Sequence, residues 1–176
     1  MKQLTNTKTM VLSAMFLAIA FVLPFFTGQI QQIGSMLCPM HLPVLLCGFL
    51  CGPSWGCIVG FVAPILRSLV LGMPPMFPQA VCMALELATY GLLAGFFYKL
   101  LPEKKINIYF ALIFAMLGGR VVWGLAMLMS MGITGGKFGF EAFLAGAITN
   151  AIPGIVIQLI LIPILVMTIN KSKNKE

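Results

Sequence analysis

The chain has 176 residues, of which 60% are hydrophobic and 9% are charged, and its formal net charge is +7. A soluble domain carries roughly 25% charged residues, so this chain has too little charge to cover a water-facing surface; with a mean hydropathy of +1.05 it reads as an all-α membrane protein. The length allows one bundle without a separate soluble domain, and most lysines flank apolar runs, which argues for membrane orientation and against nucleic acid as a partner.

Hydrophobic runs and Gly/Pro punctuation predict six transmembrane helices at roughly 10–27, 40–51, 54–71, 77–100, 106–131 and 141–169, forming a single transmembrane domain over 1–176. The first follows Lys2 and Lys8 and runs unbroken from Met10 to Phe26. It is longer than a signal-peptide core, and no small-x-small cleavage site follows cleanly before Gln29, so it reads as a retained helix. Ala14 and Ala18 form a small-xxx-small pair on it, a spacing that lets another helix approach closely. Segment 28–39 follows, with Gln29, Gln31, Gln32 and Gly34 and little periodicity.

The second span opens on His41 and is short for a crossing; Gly52-Pro53 separates it from the third. The pair reads as two short crossings or a re-entrant hairpin, and two crossings give the more consistent charge topology. Cys47 and Cys51 share a helix face as small buried hydrophobes, and no disulfide framework is indicated. The third span carries Arg67 and ends at a stiff turn, Gly72-Met73-Pro74-Pro75-Met76. The fourth places Gln79 and Glu86 on one face, seven residues apart. Gly52, Gly56 and Gly60, and then Gly91 and Gly95, repeat the close-approach spacing. The fifth span carries Arg120, with Trp123 at i+3, and a glycine-rich segment 132–140 follows. The sixth carries Asn150 and, two turns deeper, Gln158.

With six crossings, Lys2, Lys8, Lys99, Lys104, Lys105, Lys171, Lys173 and Lys175 share one side and Lys137 stands alone on the other. Positive residues mark the cytoplasmic side, so both termini are expected there, in a multi-pass protein of a cell membrane. The longer, irregular connections then fall on the outer face.

Arg67, Glu86 and Arg120 lie within predicted spans. Each costs about 2.5–3.5 kcal/mol at a helix centre on insertion scales, so it must face the bundle interior, pair, or line water. All three fall within about 7–18 Å of the outer surface at 1.5 Å per residue. Two readings stand side by side. In one, Glu86 pairs with an arginine only to fix helix packing. In the other, Glu86, Arg120, Trp123, Asn150, Arg67, Gln79 and His41 supply a polar, outward pocket for a small solute. Two arginines against one carboxylate leave a positive charge over, which suits an anion that arginine can hold bidentately. The modest aromatic supply, Trp123 and Tyr90 with Phe77 and Phe138 at the rim, fits a mostly aliphatic ligand better than a large ring system. A small carboxylate is therefore expected, with pantothenate leading; biotin, lipoate and nicotinate satisfy the same logic.

Nothing in the pattern calls for catalysis, a cofactor or a metal. The chain has no Asp, no Walker-type glycine loop and no HExxH. Met36, Cys38, Met40 and His41 lie close together, but methionine is more often a flexible filler than a ligand.

The sequence resembles the substrate-binding (S) components of energy-coupling-factor vitamin importers. The likeness is carried by Ala14-xxx-Ala18, the irregular first outer loop, and the stretch from Pro39-Met40-His41-Leu42-Pro43 through Gly52-Pro53. Pro64-Ile65-Leu66-Arg67-Ser68 to Gly72-Met73-Pro74-Pro75, and Glu86-Leu87-Ala88-Thr89-Tyr90-Gly91, extend it over nearly the whole chain. The resemblance implies a six-helix S-component-like bundle that captures a vitamin at the outer face of a prokaryotic plasma membrane without performing chemistry. It also implies partners: a transmembrane T component and two cytoplasmic ATPase subunits, with Ala14 and Ala18 as the docking surface. Glu86, Arg120, Trp123 and Asn150 lie where such a pocket would be. A stand-alone secondary transporter or channel is the competing class; it calls for polar residues continuing inward or an internal repeat, and neither is seen. A purely structural membrane subunit would leave the embedded arginines unexplained.

Overall fold

The computed structural model describes residues 6–27, 39–102, 105–134 and 152–173. Among these residues there are six helices and no strand: α1 (Asn6–Thr27), α2 (His41–Cys51), α3 (Pro53–Leu71), α4 (Val81–Leu100), α5 (Lys105–Thr134) and α6 (Ile152–Lys173). An irregular turn, Met76–Ala80, leads into α4, with Phe77 in extended backbone at its start. The protein is an all-α membrane protein. The described parts of α1, α3, α4 with its leading turn, and α5 are each long and apolar enough to cross a bilayer, whereas α2 and the described apolar stretch of α6 are shorter. The first 11 residues of the sixth predicted span, 141–151, lie outside the described residues, as do the 28–38 and 135–140 segments.

Side-chain distribution follows lipid rather than water as solvent. Large apolar residues such as Met10, Phe61, Phe110, Phe114, Leu117 and Ile160 point outward, while Val44, Leu45, Leu87, Leu112, Ile162 and Val166 fill the centre. In α1 the buried positions Thr9, Ser13, Phe16, Ala20 and Pro24 form one stripe at three- and four-residue spacing. Ala14 and Ala18 lie on the opposite, exposed side.

α4 is the hub, packed against α2, α3 and α5. Its contacts with α5 run antiparallel: Cys82 meets Ser130, Glu86 meets Arg120, and Phe97 meets Phe114. Its contacts with α2 run parallel, from His41 beside Tyr90 down to Phe49 beside Tyr98. The bundle therefore has an upper end, carrying the start of α2, the 72–75 connection and the end of α5. Its lower end carries Gly52 and the Leu101-Pro102 turn.

Two glycines make this packing possible. Gly52 joins α2 to α3 as a single residue at φ 98°, a conformation that disfavours any side chain. Gly91 brings the α4 backbone against α3 so closely that a Cβ there would drive into the Gly56 carbonyl. The repeated glycine spacing in the sequence thus serves contacts inside the bundle, and the alanine spacing in α1 does not.

Candidate functional site

The upper half of the bundle buries a charged cluster drawn from three helices. Glu86 projects from the second turn of α4 with 2% exposure. Arg120, from the middle of α5, places Nη1 3.0 Å from Glu86 Oε1. His41, the first residue of α2, places Nε2 3.5 Å from the same oxygen. Both side chains converge on Oε1, but neither contact has hydrogen-bond geometry, and the His41 Nδ1 atom has no hydrogen-bond partner among the described residues. The interaction is therefore mainly coulombic, in a setting where water does not screen it. Breaking such a buried pair by removing one partner typically costs about 3–5 kcal/mol.

Local packing explains the positions. Tyr90 lies one turn below Glu86 on the same face of α4, and its ring packs 5.1 Å from that of His41, tilted by 60°. Gly119, next to Arg120, leaves room for the Tyr90 ring; a Cβ at that position would strike it. Gly119 shapes the site and was missed in the sequence, whereas Tyr90 stood out there only as part of the aromatic supply. The spacing Glu86-xxx-Tyr90 was the available signal.

The other expected residues divide. Trp123, one turn beyond Arg120 on α5, is half-buried. Gln79 lies in the Met76–Ala80 turn, its side chain is exposed, and it makes none of the cluster's contacts. Asn150 lies outside the described residues. Gln158 is buried on α6 in line with Gly154, Ile162 and Val166, and its Oε1 has no hydrogen-bond partner among the described residues.

Arg67 does not join the cluster. Its Nη1 donates to the Phe21 carbonyl at 3.0 Å, and its guanidinium lies 5.2 Å from the centre of the Phe25 ring. It ties the upper ends of α1 and α3 together. The two arginines expected to share one carboxylate are therefore not brought together. Arg120 faces Glu86, with His41 and Tyr90 beside the pair.

A second feature lies on the outside. Ala18, Ile19, Val22, Leu23 and Phe26 of α1 line a wholly apolar depression of about 370 Å³. With Ala14 and Met15 it forms one continuous exposed face.

The family model described as "ECF transporter, substrate-specific component" matches residues 8–166, from the first turn of α1 to the last third of α6. No curated protein and no solved structure was found to match the chain.

Proposed function

Since the chain belongs to the family of substrate-specific components of ECF transporters, we propose that it captures a small vitamin or related micronutrient at the outer face of a prokaryotic cell membrane. This is a family of transporter subunits and not of enzymes. In this reading the solute passes inward only when the protein is docked on a transmembrane T component driven by two cytoplasmic ATPase subunits. The upper end of the bundle faces outward, and both termini are cytoplasmic.

The observation that carries the capture site is the buried convergence of His41 and Arg120 on one oxygen of Glu86. Charged groups in a membrane bundle are costly, and they mark solute paths by default. Poorly aligned contacts leave directional bonding capacity for a ligand. Trp123 adds an aromatic wall, and Gln158 adds a neutral polar group from the last helix; Asn150, outside the described residues, is a further candidate. Arg120 anchors the solute. Its guanidinium presents a fork of donors that a carboxylate can take bidentately. A small carboxylate is the solute class, with pantothenate the first to test. Arg67 and Gln79 stand outside this site.

The exposed Ala14–Ala18 face of α1 is the docking surface for the T component. Small residues permit close helix approach, and an apolar face is available to lipid or to a partner alike. Capture and release then separate physically: affinity resides in the upper half of α2, α4, α5 and α6, while coupling to ATP resides on α1.

Uptake assays test the reading. The chain is expressed in a cell lacking its own uptake of the labelled vitamin, with and without a T component and the two ATPase subunits. Accumulation should require the full set. Accumulation by the chain alone would favour the stand-alone transporter, and none under either condition for any vitamin would remove the importer reading.

A further inference from the structure

The cluster's charge balance limits how an anion can enter it. Glu86 and Arg120 cancel each other at 3.0 Å. An anion added to this neutral pair leaves one net negative charge in a region that excludes water, where uncompensated charge is expensive. Something positive must come with it, and the described residues narrow the choice.

His41 is 3% exposed, with Nε2 3.5 Å from Glu86 Oε1. The groups around it can be named helix by helix. From α4 it faces Glu86 and Tyr90, and beyond Glu86 stands Arg120 of α5. On α2 itself, Cys47 and Cys51 lie at least six residues further down the helix, about 9 Å or more. On α1 the one charged residue described is Lys8, exposed at the lower end. On α3, Arg67 is committed to Phe21 and Phe25, and Cys57 sits near the lower end. On α6 no titratable side chain occurs between Ile152 and Ile169. Imidazole is the side chain whose charge changes most readily near neutral pH.

We infer that an anionic solute enters this site together with one proton, and that His41 carries it. The inference rests on the reading that the solute is a carboxylate held at Arg120. The proton comes from solvent and adds to an imidazole nitrogen, and no covalent bond of the solute changes. The filled site then holds two positive groups, His41 and Arg120, against two carboxylates, Glu86 and the solute. Loading becomes pH-dependent in a defined direction. The bound state holds one proton more than the empty one, so affinity for the anion falls as pH rises, by up to about tenfold per unit. A neutral analogue needs no compensating charge, and its affinity stays flat over the same range.

The full-length purified protein is titrated at pH 8 with matched acids and neutral analogues: pantothenate and pantothenol, biotin and biotinamide, nicotinate and nicotinamide. Calorimetry in two buffers of different ionisation heat counts the protons taken up. We expect about one proton per bound acid, none for its neutral analogue, and none for the acid bound to His41→Gln. A bound acid that brings no proton overturns the inference while leaving the carboxylate reading intact. Proton uptake that persists in His41→Gln overturns the assignment to His41. Binding of a neutral or cationic vitamin with no acid bound removes the carboxylate reading, and this inference with it. If His41→Gln does not fold, the comparison of acid with neutral analogue on the unaltered protein still decides whether a proton enters, and His41→Asn decides whether His41 carries it.

Discussion

At the scale of residues, the two embedded arginines do different work despite equal cost in a membrane. Arg120 meets a carboxylate inside the bundle, whereas Arg67 meets a backbone carbonyl and an aromatic face at the α1–α3 contact. Arg67 lies near the upper end of α3, where its partners are Phe21 and Phe25 of α1. Replacing Arg67 with Met should lower stability by about 1.5–3 kcal/mol, the scale of a hydrogen bond from a charged group. Solute affinity of the folded fraction should stay within about twofold, less than the 1.4 kcal/mol that a tenfold change requires. Unfolding in mild detergent and binding on the same preparation read the two quantities separately. A large loss of affinity with unchanged stability would return Arg67 to the site.

At the scale of helices, the same small-residue spacing has two destinations. Gly91 faces Gly56 within the bundle, and Ala14 with Ala18 faces outward from α1. Gly91→Leu should prevent assembly of α3 on α4, because the obstacle is backbone that cannot move aside; a stable, monodisperse variant would show that the crossing is looser than described here. Ala14→Trp with Ala18→Trp should leave solute binding by the solitary protein unchanged and abolish uptake through the complete transporter. Retained uptake would place docking elsewhere. The sequence alone could not separate these destinations. It showed both spacings, but only burial tells which face of a helix meets the bundle, and in lipid the outward face is as apolar as the inward one. Charge was more readable. Glu86, Arg120 and His41 stand out because so few polar residues lie within apolar runs, and the structure joins all three. The i, i+7 rule behind Gln79 assumes one continuous helix, whereas Gln79 sits in an irregular turn ahead of α4.

For the whole molecule, the buried ionisable groups among the described residues lie in the upper half, whereas the lower half holds Ser13 and Asn107, each bonded to a nearby backbone carbonyl, and the Gly52 hairpin. That asymmetry suits a receptor that holds its solute and relies on other subunits to move it. It also requires an orientation. Reporter fusions at both ends of the chain should place the termini in the cytoplasm, with a cysteine introduced at Met73 reacting with an impermeant thiol reagent applied from outside. The opposite labelling pattern would put the charged cluster on the wrong side for capture from the medium.

The central claim is that the buried cluster holds the solute, and the affinity of the purified protein for vitamin carboxylates tests it most directly. The unaltered protein should bind one of them tightly, and Arg120→Gln should weaken that binding by about 1.5–3 kcal/mol or more, the scale of a hydrogen bond to a charged group. Glu86→Gln should also alter the affinity, since Glu86 positions Arg120 and balances its charge. Unchanged affinity in a folded Arg120→Gln protein would contradict the account and leave the Glu86–Arg120 pair as a brace between helices.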